Sequence, residues 1–443
     1  MSRLATVKNF LRIMGAIYTI AFVSFGLQAA GLVGSHGILP AATFLAAARQ
    51  ALGWTAWWYI PTVLWLRPAD WAVAAIWIVG AVLGIVAAGG WLQRGALAGC
   101  WLLWLSICSI GQDFLSFQWD MLLLETGFLA IFAGETLLPV WLFRLLTFRL
   151  MFSSGVVKLA SGDPVWRDLT AMGYHYETQP LPTPLAWWMY QLPGWFQRCS
   201  TALVLVIELA VPFLFFLPRR LRVAGAWITI GLQALILLTG NYAYFNWLTI
   251  ALCLWLFFEP LRKITWGGVA LAIPIGLLTL VTFGELLGVP VPDIAGRLVS
   301  VAGPLRIVNS YGLFAVMTTT RPEIQVEGSN DGENWLPYEF RYKPGDVHRA
   351  PPIVAPHQPR LDWQMWFAAL GSYQQNRWFV RFLEKLLRGE PAVLRLLRKN
   401  PFPGTPPRYV RARLFQYHFT RLGQGWWWRR EEQGMYFPPA SLH

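Results

Sequence analysis

Five side chains able to carry charge or move protons crowd into the stretch SGDPVWRDLTAMGYHYETQPLPTP at 161–184: Asp163, Arg167, Asp168, His175 and Glu177. Lys158 stands just before it, and Asp120 lies in an apolar segment upstream. A desolvated Lys158 would serve as base or cation, with Asp120, His175 and Glu177 positioning the reacting group of a lipid or lipid-linked substrate. His175 and Glu177 also suggest an acid–base pair, but alternate residues of an extended chain point to opposite faces, which weakens a direct dyad. No nucleophile elbow, P-loop, H-E-x-x-H motif or Gly-rich dinucleotide fingerprint accompanies them. No catalytic set, metal or cofactor is therefore assigned.

The elements that would position these groups are apolar helices. Charges inside a bilayer are costly and call for partners. A predicted helix over 120–138 holds Asp120, Glu125 and Glu135; the next, over 141–160, holds Arg144, Arg149 and Lys158. If the two form a hairpin turning near Pro139, residues at equal depth pair Glu135 with Arg144 and Asp120 with Lys158. Such pairs either hold the bundle together or line a polar cavity. SSG at 153–155 permits close approach of another helix. Glu208 lies inside a further helix, and TGNYAYFNWLT sets Asn241 and Asn246 at a helix turn. With Asp163, Trp166, Asp168, His175 and Glu177 they would form an outer vestibule. Prolines at 164, 180, 182 and 184 preclude one regular helix through the 161–198 loop, whose aromatic residues suit the headgroup level.

Composition fixes the setting. The 443 residues are 56% hydrophobic and 13% charged, with a mean hydropathy of +0.43, 26 Trp and 28 Phe, more apolar than a water-soluble core requires. Charge-free stretches such as Trp71 to Gln93 and Val223 to Phe258 are long enough to cross hydrocarbon. About nine helices are expected, over 11–33, 71–90, 95–111, 120–138, 141–160, 199–217, 222–240, 243–258 and 266–288. The first is retained, because its apolar run lacks a small-x-small cleavage site. Residues 41–69, with WTAWWYIP, suit the membrane interface. Arg3, Lys8, Arg12, Arg94, Arg144, PRRLR at 218–222 and EPLRK at 259–263 all fall on one side, which is then the inside. An odd number of crossings puts the chain after Val289 outside. The net charge of +13 comes without a nucleic-acid motif. Cys100, Cys108, Cys199 and Cys253 show neither metal spacing nor a disulfide framework.

Residues 1–290 thus form a transmembrane bundle and 291–443 a small extramembrane α+β domain. In the latter, PEIQVEGSNDGENWLPYEF reads as a β-hairpin, LDWQMWFAALGSYQQNRWFVRFLEKLLRGEP as helix, and RYVRARLFQYHFT as a strand. Trp363, Trp366, Trp378 and GWWWRR, with Trp426, Trp427, Trp428, Arg429 and Arg430, suit contact with a client protein or with lipid headgroups. Burial in the domain's own core competes for Trp363 and Trp366.

Five segments carry a resemblance to the lipase maturation factors: FLSFQWDMLLLETGFLAIF (114–132), RLMFSSGVVKLASGDPVWRDLTAMGYHYETQPLPTPLAWWMYQLP (149–193), GNYAYFNWLTIALCL (240–254), NSYGLFAVMTTTRPEIQVEGSNDGENWLPYEFRYKPGD (309–346) and PHQPRLDWQMWFAAL (356–370). The resemblance implies a multi-pass membrane protein that assists folding and assembly of exported lipase-type clients. Eukaryotic members act in the endoplasmic reticulum, and the C-terminal region is associated with client binding. It supplies no catalytic residues. The chain has no N-x-S/T sequon, and its final PPASLH differs from a lumenal retention signal. These features point to a bacterial inner-membrane homologue, with membrane lipids and an exported protein as partners. A membrane-embedded enzyme around Lys158 is the alternative. A transporter ranks third, since no inverted repeats are evident.

Overall fold

The computed structural model describes residues 3–442. Its helices, in chain order, are α1 (Arg3–Leu32), α2 (Ala41–Leu52), α3 (Ala56–Tyr59), α4 (Asp70–Gly89), α5 (Gln93–Ile110), α6 (Gln118–Ile131), α7 (Leu137–Ala160), α8 (Pro164–Arg167), α9 (Ala171–Thr178), α10 (Pro184–Tyr190), α11 (Gly194–Leu209), α12 (Arg219–Thr239), α13 (Phe245–Phe257), α14 (Trp266–Leu286), α15 (Asp293–Ala302), α16 (Arg360–Ala369), α17 (Arg377–Leu387) and α18 (Pro391–Leu394). The strands are β1 (Pro322–Ser329), β2 (Leu336–Pro337), β3 (Glu339–Phe340), β4 (Leu397–Lys399), β5 (Tyr409–Phe419) and β6 (Trp428–Ala440).

The chain is a mainly α, polytopic membrane bundle followed by a small α+β region. Each expected long helix has a counterpart, in α1, α4 to α7 and α11 to α14. Among the described residues, six helices are long and apolar enough to cross a membrane: α1, α4, α7, α12, α14, and α11 with the 3-10 turn that continues it to Phe216. The other three are shorter or less apolar. The helix expected over 120–138 stops at Ile131; Gly134 follows in the connection, and Pro139, in the first turn of α7, cannot continue a helix from the preceding turn. The one expected over 199–217 kinks after Leu209, where Pro212 has no amide to donate.

Close backbone contact holds the first pair of helices. A Cβ on Gly15 would lie 2.5 Å from the Ala88 amide nitrogen, and one on Gly84 would lie 2.8 Å from the Gly15 carbonyl. Without side chains at these two positions, α1 and α4 pack backbone to backbone. Residues 41–69 form α2, α3 and two 3-10 turns with Trp54, Trp58 and Tyr59 exposed.

The C-terminal sheet has strand order β2-β1-β5-β6, all antiparallel, beside a separate β3–β4 pair. The hairpin turn between β1 and β2 is set by Asp331, whose carboxylate accepts the amides of Glu333 and Asn334 at 2.8 Å. Helix α17 ends where Gly389 takes φ +64, followed by Pro391.

The apolar core does not stop at the boundary between bundle and C-terminal region. One buried cluster runs from Phe10 and Trp104 through Phe114 and Trp119 to Trp363, Trp378 and Val410. Phe114 packs edge-on against Trp378 at 5.6 Å and Trp119 against Trp363 at 4.7 Å. The C-terminal region therefore sits on the end of the bundle formed by the C-termini of α1 and α7 and the N-terminus of α6. The opposite end is basic. There Arg94 donates to the Ala133 carbonyl at 2.7 Å, Arg144 donates to the Trp255 and Phe258 carbonyls, and Arg222 pairs with Glu259.

Candidate functional site

The charges at the docking end serve to seat the C-terminal region. Asp120, on the first turn of α6, has no exposed surface and forms a bidentate pair with Arg360 of α16, at 2.8 and 2.9 Å. Tyr244 donates to the same carboxylate and Arg360 also donates to the Phe114 carbonyl at 2.7 Å. One turn on, Glu125 pairs with Arg149 of α7 at 2.6 Å. Its other oxygen accepts the Asn309 amide at 2.9 Å and the Tyr311 hydroxyl at 2.7 Å.

The extended segment after α15 continues along this surface. Lys158 donates to the Ser154 carbonyl at 3.1 Å, to Glu208 of α11 at 2.7 Å and to the Leu313 carbonyl at 3.1 Å. Trp166 donates to the Phe314 carbonyl at 3.0 Å, and the Met317 amide donates to Asp163 at 2.7 Å. An ammonium has three donors, and all three are taken. Lys158 is thus a satisfied buried cation, the reverse of what a general base requires.

The 161–198 loop is a folded cap of three short helices. Asp163 and Thr183 accept amides of Val165 and Ala186, and Pro164 and Pro184 follow them at the first helical positions. His175 and Glu177 stand on α9, a helix, because no proline falls between Pro164 and Pro180; the extended backbone expected there is corrected. The two side chains still diverge. Glu177 accepts the Phe419 amide at 2.8 Å and lies 3.2 Å from His418 Nδ1, both on β5. His175 turns the other way, edge-on to Phe314 at 5.0 Å.

Carbonyls of the same loop receive Arg321, whose guanidinium donates to Glu177, Gln179 and Pro180. Trp366 donates to the Thr178 carbonyl at 2.9 Å. Asn241 accepts the Val354 and Ala355 amides at 2.6 and 2.9 Å and donates to the Pro352 carbonyl at 2.9 Å.

Several expected placements are overturned. Asp120 pairs with Arg360 instead of Lys158, and Lys158 pairs with Glu208. Arg144 uses carbonyls instead of Glu135, which has no hydrogen bond or ion pair through its side chain among the described residues. An equal-depth rule for adjacent helices cannot register partners that arrive from α11 or α16. Asn246 lies within α13 and donates to Gln233 at 2.8 Å, and Asp168 is exposed; neither joins the loop's contacts. Of the tryptophans offered as a client surface, Trp363, Trp366, Trp378 and Trp428 are buried. Trp428 stacks on Phe419 at 4.3 Å beneath Arg321, since on strand β6 it points inward. Trp426 is exposed, Trp427 half-buried against Trp187, Arg429 exposed, and Arg430 donates to Gln325 at 2.7 Å. Arg321, Arg360 and Asn309 carried no role in the sequence reading. The signal for them was an excess of acid over base in the α6 segment, where Asp120 and Glu125 have no local cation.

Burial pushes the His175 imidazole down to about 4, with the Lys158 charge adding to the effect. The neutral ring is therefore the native form. Unfolded, the ring takes a proton near pH 6.5, so its contribution is complete above that pH and is lost as pH falls towards 4. We expect wild type to lose about 2 kcal/mol more than His175→Gln between neutral pH and about pH 5. Thermal unfolding in detergent across that range checks it.

Two hollows adjoin the site. An open groove of about 560 Å³ follows the seam between bundle and C-terminal region, lined by Phe117, Trp119, Tyr242, Phe314, Trp363 and Phe367 among others. A second, of about 620 Å³, lies within the membrane helices under the loop and reaches Lys158. Leu313, Phe314 and Tyr242 line both and divide them. Phe314 has a left-handed backbone, φ +54, uncommon for a bulky residue.

These features define a class: a polytopic helical membrane protein whose C-terminal α+β region is seated on one bundle end by buried ion pairs. The chain belongs to the lipase maturation factor family. That family's transmembrane domain matches residues 5–263 and its C-terminal domain matches residues 307–438. It is 36% identical to lipase maturation factor 2 of Gallus gallus, covering 98% of this chain and 81% of that one, and 36% identical to the Homo sapiens protein, covering 98% and 82%. It is also 36% identical to lipase maturation factor 1 of Mus musculus, covering 98% and 86%. No solved structure matches the chain.

Proposed function

We propose that this protein is a membrane-anchored maturation factor that holds partly folded exported proteins, lipase-type clients among them, on the docking end of its bundle. The observation that carries the reading is the aromatic groove at the seam, where Phe117, Trp119 and Trp363 pack against one another and Phe367 is 43% exposed at the rim. These three rings are a buried, rigid floor, and the apolar side chains open to a client are those of the rim, Val316 and Phe367, which suit transient contact with apolar client segments. The names of the relatives support the choice of client. We further propose that residues 291–443 form the extramembrane unit and lie outside the cytosol, in a bacterial inner membrane. The basic residues gathered at the opposite end support that orientation.

Deletion of the gene should lower the activity of secreted lipase-type hydrolases, and the wild-type chain should restore it. Val316→Asp and Phe367→Asp, both exposed at the groove, should reach the membrane at wild-type levels yet restore about tenfold less activity. Full rescue by both variants would remove the groove from the function; unchanged secretion on deletion would remove the function itself.

A further inference from the structure

The hollow under the 161–198 loop has apolar walls, and its mouth lies between α11 and α12. Leu203 on α11 and Leu235 on α12, 55% and 57% exposed, line it. Helix α12, and α11 with the 3-10 turn that continues it, are long and apolar enough to cross a membrane, so hydrocarbon, not water, faces this opening. The inner end is polar. One carboxylate oxygen of Glu208 holds Lys158, and the other makes no hydrogen bond among the described residues and is not sealed off.

His175 supplies a second, independent observation. The residue is only 9% exposed, lines the hollow, and makes no side-chain hydrogen bond among the described residues; its ring packs edge-on against Tyr176 and Phe314. Its ring nitrogens are not sealed off from the hollow, so they are open to a hydrogen bond from a group placed there.

We propose that this hollow binds an uncharged long-chain amphiphile with a hydroxyl head, such as an acylglycerol or fatty alcohol, entering sideways between α11 and α12. The chain lies against the apolar wall and the head meets His175 and Glu208. The hydroxyl donates to the free Glu208 oxygen and accepts from the N–H of the neutral imidazole. An anionic head is disfavoured, because Lys158, the only Lys or Arg lining the hollow among the described residues, is neutralised by Glu208 and has no donor left. The inference concerns binding alone and does not depend on the client reading.

Gly231 offers a test that spares the fold. It lines the hollow, and a Cβ there would meet nothing within 4 Å, so a side chain at this position starts without a clash and Gly231→Trp adds bulk at the wall of the hollow. The full chain is placed in phosphatidylcholine nanodiscs with a monoacylglycerol carrying a diazirine in its chain, irradiated, and the labelled peptides are mapped by mass spectrometry. Label should concentrate on α11 and α12. It should fall about tenfold in Gly231→Trp and about fivefold in His175→Phe, the latter matching loss of one hydrogen bond. A diazirine alkane of equal length should label wild type and His175→Phe alike, which separates the lost hydrogen bond from a damaged fold. A phosphatidic acid probe should label less than the monoacylglycerol. Labelling that Gly231→Trp leaves unchanged would mean annular lipid only, and stronger labelling by the phosphate probe would overturn the assigned head group.

Discussion

Asp120→Asn should destabilise the protein by about 3–5 kcal/mol, the cost of leaving one member of a buried ion pair without its counter-charge. Neither Asp120 nor Arg360 has exposed surface, and Arg360 pairs with no other carboxylate among the described residues. Arg360→Met should cost a similar amount, since Asp120 would then hold a charge against only the Tyr244 hydroxyl. The double variant Asp120→Leu with Arg360→Met should recover most of the loss, because both desolvation costs vanish together. Chemical denaturation in detergent, run as a double-mutant cycle with Asp120→Leu and Arg360→Met as the single variants, checks this. The same cycle for Asp120 with Lys158 should be additive, because those groups have separate partners.

Glu125→Ala should be nearly as damaging and more local. One carboxylate satisfies the Arg149 guanidinium, the Asn309 amide and side chain, and the Tyr311 hydroxyl. Its loss strands a buried cation, again at about 3–5 kcal/mol, and frees the start of the segment leading to the sheet. Limited proteolysis should show new cleavage near 309–317 while the β1–β5 ladder stays resistant. Cleavage at the wild-type rate would mean that the segment is held by other contacts.

The fold was largely legible because hydropathy is a local property. All nine long apolar segments became helices, the NDGEN turn became a hairpin, and RYVRARLFQYHFT became β5. Local signals also marked where elements end, as Gly389 and Pro391 do for α17. The charged site was legible as a set of residue types but not as a set of partners. Asp120 and Arg360 meet across 240 positions and Arg149 reaches Asn309 across 160, distances over which periodicity says nothing. The extended backbone assigned to His175 and Glu177 failed for a nearer reason, since the prolines that follow Thr178 limit α9 only from its far end. The inward turn of Trp428 depended on a strand register that a run of three tryptophans does not disclose.

The central claim is that the buried charges fasten the C-terminal region to the bundle as one unit. Four backbone amides bear on it directly, because each donates to a bundle or loop side chain: Asn309 to Glu125, Met317 to Asp163, Val354 to Asn241 and Phe419 to Glu177. Hydrogen exchange of the intact protein in nanodiscs reads them all. The account predicts that these amides exchange as slowly as the core of the β1–β5 ladder and are released together with it. Rapid exchange at all four, with the ladder still protected, would show a tethered, independent domain and contradict the account.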